Sequence, residues 1–150
     1  MPDKKKLNIT HIMVPYTGHE ADDTVLAAAV QVARIARAKI TAVYVIEVPM
    51  ALPVDAVELP GMHEADEILD RAERVASDLG FEIETELLQA REAGPAIVES
   101  AIDLGVDLIF MEAHRRRRFG LSILGKTVEY VLKRAPCAVW VSRASKAMIE

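Results

Sequence analysis

One cysteine, Cys137, stands among 150 residues, so the chain can form no internal disulfide and can build no cysteine-based metal site. Long hydrophobic runs are missing as well. Nothing approaches the roughly 18 consecutive apolar residues of a membrane-crossing helix. Aromatic residues amount to 5%, and none forms a stacking platform around the most basic stretch, which argues against a single-stranded nucleic-acid binder. Positive charge is in deficit: 18 Lys and Arg against 23 Asp and Glu leave a net charge of −5, the wrong sign for a general partner of nucleic acid or anionic membrane. The start, MPDKKKLNITHIMVP, has basic residues but only a short apolar run and no small-residue cleavage site, so it does not read as a signal peptide. These absences together predict a soluble cytoplasmic protein that does not insert into a membrane.

What is present is a globular composition, 51% hydrophobic and 27% charged, over a length that suits one domain, residues 1–150 with a core from about 9 to 143. Periodicity places the elements. Ile9–Val14, closed by Pro15, is a short buried-strand signal. From Asp22 to Arg37, Val25, Ala28, Ala29, Val32, Ile35 and Ala36 recur at three- and four-residue steps, one face of a helix whose first turn holds Asp22 and Asp23. Lys39–Glu47 is β-branched and nearly continuously apolar, a strand covered on both faces. Three prolines make Val48–Pro60 an irregular excursion, and helical spacing resumes from Met62 to Leu79, with Gly80 as the stop.

Phe81–Gln89 alternates apolar residues with Glu82, Glu84 and Glu86, which predicts a strand with a wet face or an edge position. Gly94-Pro95 opens a helix that Gly105 ends. Asp107–Met111 is again a strand, and His114–Leu124 reads as a long loop. Gly125-Lys126 leads into a helix ending near Ala135-Pro136, and Ala138–Ser142 is the last strand. Five strands alternating with four helices predict one doubly wound α/β domain with a parallel sheet and helices on both faces. Such sheets take ligands at the carboxyl ends of their strands, which directs attention to Pro15–His19, Val45–Pro49 and Met111–Thr127.

In the last of these segments, Gly120-Leu-Ser-Ile-Leu-Gly125-Lys126-Thr127 matches the phosphate-loop pattern G-x-x-x-x-G-K-T. The setting disagrees with the pattern: Ala113–Phe119 separates it from its strand, its interior is greasy, and no later strand ends in an acid placed for magnesium. What remains is a helix N-terminus, whose free N–H groups favour an anion, carrying a lysine. The run Arg115–Arg118 is either a solvated basic loop or a phosphate-gripping cluster beside that helix end. His11, His19, His63 and His114 share no metal-site spacing, and they read as loop or strand-end residues. Cys137 has no histidine near it in sequence and reads as core filler.

The order of elements, with MVPYTG, AVYVIE, GPAIVESA, DLIFM, LGKTVEYVL and RAPCAVWVSR, resembles the universal stress protein family from about Ile9 to Arg143. The resemblance implies strand order 3-2-1-4-5 and a homodimer made through the last strand, with Val139, Trp140 and Val141 at the interface. ATP-binding members carry G-x-x-G-x(9)-G-[ST] after the fourth strand. On this chain those positions fall on Glu112, Arg115, Gly125 and Lys126, so only Gly125 is kept, and the acid expected after the first strand is matched by Thr17. Glu112 sets a carboxylate where a triphosphate would crowd, and Arg115 sets a side chain where backbone should approach phosphate. Pro15, Val45 and Met111 match positions that line the adenine pocket, and Thr127 supplies a hydroxyl one position late.

The resemblance therefore implies a non-enzymatic protein without a cofactor or conventional ATP binding, one that acts by dimerisation and regulatory interaction with a protein or transporter partner. The alternative is a nucleotide- or anion-binding sensor of the same fold that uses Gly125, Lys126, Thr127 and Arg115–Arg118. No catalytic or metal-ligating set is expected.

Overall fold

Ile12, Met13 and Val14 expose no surface to solvent because the strand carrying them, β1 (His11–Pro15), lies at the middle of a parallel sheet. The computed structural model describes residues 8–118 and 121–143, with backbone alone at 115–118 and 121–123. β1 pairs on one side with β2 (Lys39–Glu47), in the register Ile12 with Ile40, and on the other with β4 (Leu108–Glu112), Ile12 with Leu108. β3 (Glu84–Ala90) pairs with β2, and β7 (Ala138–Ser142) pairs with β4, Phe110 opposite Trp140. The order β3-β2-β1-β4-β7 is the doubly wound 3-2-1-4-5 sheet, its reversal lying between β1 and β4.

Helices cover both faces. α1 (Glu20–Ala36) and α2 (Met62–Asp78) press Val25, Leu26, Ala29, Ala72 and Ala76 onto one face, together with Ile12, Val14 and Ile40. α3 (Ala93–Leu104) and α4 (Lys126–Arg134) press Ile97, Ala101, Val128 and Val131 onto Met13, Val43, Ile109 and Met111 on the other. Alternate residues of each central strand thus serve different layers, and truncating one of these fully buried side chains costs about 2–5 kcal/mol. Under the excursion after β2, Val48, Leu59 and Ala65 form a small third cluster with Ile46.

Apart from shifts of one or two residues, such as β4 running Leu108–Glu112 instead of Asp107–Met111, the structure differs from the sequence expectation in the following elements. β1 begins at His11, not Ile9, because its pairing with β2 begins there. β3 begins at Glu84; Phe81 and Ile83 still pack on the core, but the ladder to Thr41 starts at Glu84. The expected long loop His114–Leu124 contains an antiparallel hairpin, β5 (Arg115–Arg118) with β6 (Leu121–Leu124), registered Arg115 to Leu124 and Arg118 to Leu121. Four successive arginines carry no apolar alternation, so no strand signal marks them; Phe119 and Gly120 lie outside the described residues. β3 takes the edge that its glutamates suggested.

Candidate functional site

The carboxyl ends of β1, β2 and β4 meet the first turn of α4 around a cavity of about 810 Å³, a size typical of small-molecule sites. Pro15 and Thr17 reach it from the end of β1, Val45 from β2 and Met111 from β4; Gly125, Lys126 and Thr127 come from the start of α4. Seven of the nine residues singled out from sequence are thus gathered on one wall system. Tyr16, His19, Glu47 and His114 join them.

Glu112 is not part of that wall. Phe110 packs toward α1 and α2 while Met111 packs toward α3 and α4, so strand alternation turns Glu112 to the Phe110 side, away from the cavity. Its side chain is buried, and Oε2 has no hydrogen-bond partner among the described residues. This carboxylate is therefore not among the residues that line the cavity. For Arg115–Arg118 only the backbone is described, and their cation role lies outside the described side chains.

The polar organiser of the site is Asp22, which was visible in the sequence only as an acid in the first turn of α1. It has no exposed surface. Oδ2 accepts from the Thr17 backbone N–H at 2.8 Å and from the Thr17 hydroxyl at 2.5 Å. Oδ1 lies 3.0 Å from Nε2 of His114. Burial pushes the Asp22 carboxyl up, but donors from His114 and Thr17 outweigh it and hold it below the ordinary value. The same contact raises His114, against the opposing pull of burial. The missing family acid at Thr17 is thus accompanied by a carboxylate reaching the same loop from α1. A residue five positions downstream, on a different element, is invisible to motif matching at that spacing.

Two neighbours complete the loop. Tyr16 is fully buried and donates its hydroxyl to Asp23, which also pairs with Arg71 of α2. Burial and this carboxylate push the Tyr16 phenol far above its ordinary range. Gly125 precedes α4 with φ −66°, so its glycine identity is not conformational. A Cβ there would stand 2.7 Å from the His114 carbonyl oxygen. Glu129 N–H makes the first bond of the helix, to Gly125 C=O, leaving the N–H groups of Lys126, Thr127 and Val128 ahead of it. Lys126 is exposed, with Nζ 3.9 Å from Glu92.

Of the other residues weighed from sequence, His11 is buried in β1, 2.7 Å from the Thr41 hydroxyl. Cys137 packs against the α3–α4 layer, and burial pushes its thiol up. Trp140 lies on the edge strand β7, T-shaped against Phe110 with ring centroids 5.7 Å apart. Among the described residues no group of His, Cys, Asp and Glu is placed to hold a metal, and no helix is long and apolar enough to cross a membrane.

A five-stranded parallel sheet whose strand order reverses between β1 and β4, with a cleft beside that reversal, defines a doubly wound α/β domain. A model described as Universal stress protein family matches residues 8–143. A universal stress protein of Methanocaldococcus jannaschii is 30% identical over 141 residues, spanning 90% of this chain and 82% of that one. The chain belongs to the universal stress protein family. Among solved structures, UspA from Lactobacillus plantarum superposes with a TM-score of 0.69 at 25% identity, covering 92% of this chain and all of that one. The Archaeoglobus fulgidus universal stress protein in complex with dAMP gives a TM-score of 0.68 at 20% identity, over 89% and 96% of the two chains.

Proposed function

We propose that this chain is a non-catalytic, cytoplasmic regulatory domain that binds a nucleoside monophosphate, rather than a triphosphate, in the cleft at the carboxyl ends of β1, β2 and β4. The hairpin β5–β6 carries this reading. Its backbone pairs from Arg115–Leu124 to Arg118–Leu121, so alternate amides of this segment are engaged in a ladder, where a glycine-rich loop would offer successive free N–H groups to a chain of phosphates. What remains for an anion is short: the first-turn N–H groups of α4 and the Lys126 ammonium. Val45 and Met111 supply apolar wall for a base. The A. fulgidus relative was solved with a monophosphate, dAMP. Two of the polar side chains at the cleft, Thr17 and His114, are committed to Asp22 rather than to a reacting group.

Titrating AMP, ADP and ATP by calorimetry tests this. AMP is expected to bind at least about tenfold tighter than ATP. Absence of AMP binding, or tighter binding of ATP, overturns it. The same reading makes the functional unit a homodimer through β7, because an exposed edge carrying Val139, Trp140 and Val141 invites pairing with another strand.

A further inference from the structure

A second cavity, of about 460 Å³, lies between β3 and α3 and shares no wall residue with the first. Its charge has one sign. Glu86 comes from β3 and Glu92 from the residue before α3, while Glu99 and Asp103 stand four apart on α3 and so share one helix face. The sole cation on its wall, Arg91, is turned elsewhere: its guanidinium donates to the carbonyls of Pro49 at 2.6 Å and Leu52 at 2.7 Å, strapping the excursion after β2. Between the carboxylates the floor is apolar, with Leu88 from β3 and Ala96 from α3.

The second observation is Ser100. It also lines this cavity, four residues after Ala96 and three before Asp103 on the same side of α3, and is only 5% exposed. Its Oγ has no hydrogen-bond partner among the described residues, although a mid-helix serine commonly turns back to the carbonyl four residues earlier. Glu92 has a cation 3.9 Å away, the exposed Lys126, while Glu86, Glu99 and Asp103 have no ion-pair partner among the described residues; with the buried hydroxyl they make a set of acceptors for N–H donors. The carboxylates do not converge as a metal site does. Along α3, Glu92 and Glu99 are about 10 Å apart at 1.5 Å per residue, a spread that fits separated positive charges joined by an apolar chain.

We propose that this cavity binds a linear aliphatic polyamine, its ammonium groups held by Glu86, Glu92, Glu99 and Asp103, its N–H shared with Ser100 Oγ, and its methylenes laid on Leu88 and Ala96. Spermidine titrated into the full chain by calorimetry is the probe, with 1,4-diaminobutane and magnesium beside it. Spermidine is expected to bind at one site, about tenfold tighter than the shorter diamine, which spans fewer carboxylates. Glu99→Gln with Asp103→Asn should weaken it at least about tenfold, and Ser100→Ala roughly threefold. Asp66→Asn with Asp70→Asn removes the same charge from the exposed face of α2, across the sheet, and should change affinity less than about twofold. Far-UV circular dichroism confirms that each variant is folded, and Ser100→Ala carries the test if the double variant is not. No spermidine binding overturns the proposal. So does an equal loss in the α2 control, full affinity in Ser100→Ala, or displacement by magnesium at matched charge concentration.

Discussion

His114 holds Nε2 3.0 Å from Oδ1 of Asp22, an oxygen buried from solvent that receives no other donor among the described residues. A neutral ring protonated only on Nδ1 would set a lone pair against a carboxylate, so the geometry requires the proton on Nε2. The pair ties the end of β4 to the first turn of α1 across the sheet's reversal point. His114 pays for its place with a left-handed backbone, φ 40°.

This pair makes stability depend on pH in a defined direction. The hydrogen bond to Asp22 raises His114 above 6.5, so its contribution is full below that ordinary value and is lost as pH rises through the raised one. Asp22 is held below 3.8, so its contribution is present above that value and is lost as pH falls through the lowered one. Glu112 also faces His114 and reinforces its protonated form, while Thr17 holds the other side of Asp22. His114→Asn, whose side chain tolerates a positive φ, should therefore cost about 1–3 kcal/mol near about pH 5.5 and clearly less near about pH 9. Urea unfolding of both proteins at the two pH values measures it. An equal cost at both would show that the contact is not ionic.

Gly125 and Gly105 should answer differently to substitution. Gly105 ends α3 at φ 64° with open space where a Cβ would go. Alanine there costs about 1–2 kcal/mol of backbone strain, and asparagine recovers part of it. Gly125 has ordinary φ but meets the His114 carbonyl oxygen at 2.7 Å. Alanine there should cost about 1–3 kcal/mol by overpacking, and asparagine should recover nothing. Thermal melts of the four variants decide it; recovery by Gly125→Asn would refute the steric account.

The backbone of β7 specifies a test of dimerisation that spares the core. Ala113 N–H donates to Ser142 C=O, so Ser142, Trp140 and Ala138 point their backbone groups to β4, and Val139 and Val141 point theirs outward. Val141→Pro removes an outward donor while leaving the β4 ladder intact, a substitution that edge strands accept. Sedimentation should show a dimeric wild type and a monomeric Val141→Pro with unchanged circular dichroism. A dimer that survives the proline places the interface elsewhere.

The fold was legible because its central strands are buried and its strand sequences are apolar and β-branched. Lys39–Glu47 and Ala138–Ser142 are placed to the residue by apolar, β-branched runs bounded by turns. Where burial does not dictate the residue type, the reading fails: Arg115–Arg118 forms a strand by backbone pairing to Leu121–Leu124, with no pattern in its side chains. The cleft was legible where residues lie at or just past the carboxyl ends of strands, as Val45, Met111 and Thr17 do. Asp22 and His114 were not, because their partnership joins elements 92 positions apart by subtraction of their numbers. Glu112 does not line the cleft as Met111 does, since the two lie on opposite faces of β4 and a linear motif carries no face.

Lys126 separates the anion end of the cleft from its base-binding wall. Its ammonium is about two-thirds exposed and lies 3.9 Å from Glu92, a distance at which a surface pair contributes little, so the side chain is free to turn to a bound phosphate. A charge-assisted hydrogen bond contributes about 1.5–3 kcal/mol when its partner is sheltered, and less beside open water. Exposure puts the expected loss in Lys126→Ala near the lower end, about tenfold in AMP affinity. The first-turn N–H groups of α4 remain in that variant, so binding should weaken without vanishing. Adenosine, which has no phosphate, should bind wild type and variant alike through Val45 and Met111. Calorimetry with both ligands on both proteins supplies the comparison. A matching loss for adenosine would mean that Lys126 shapes the wall, and no loss for AMP would move the anion away from α4.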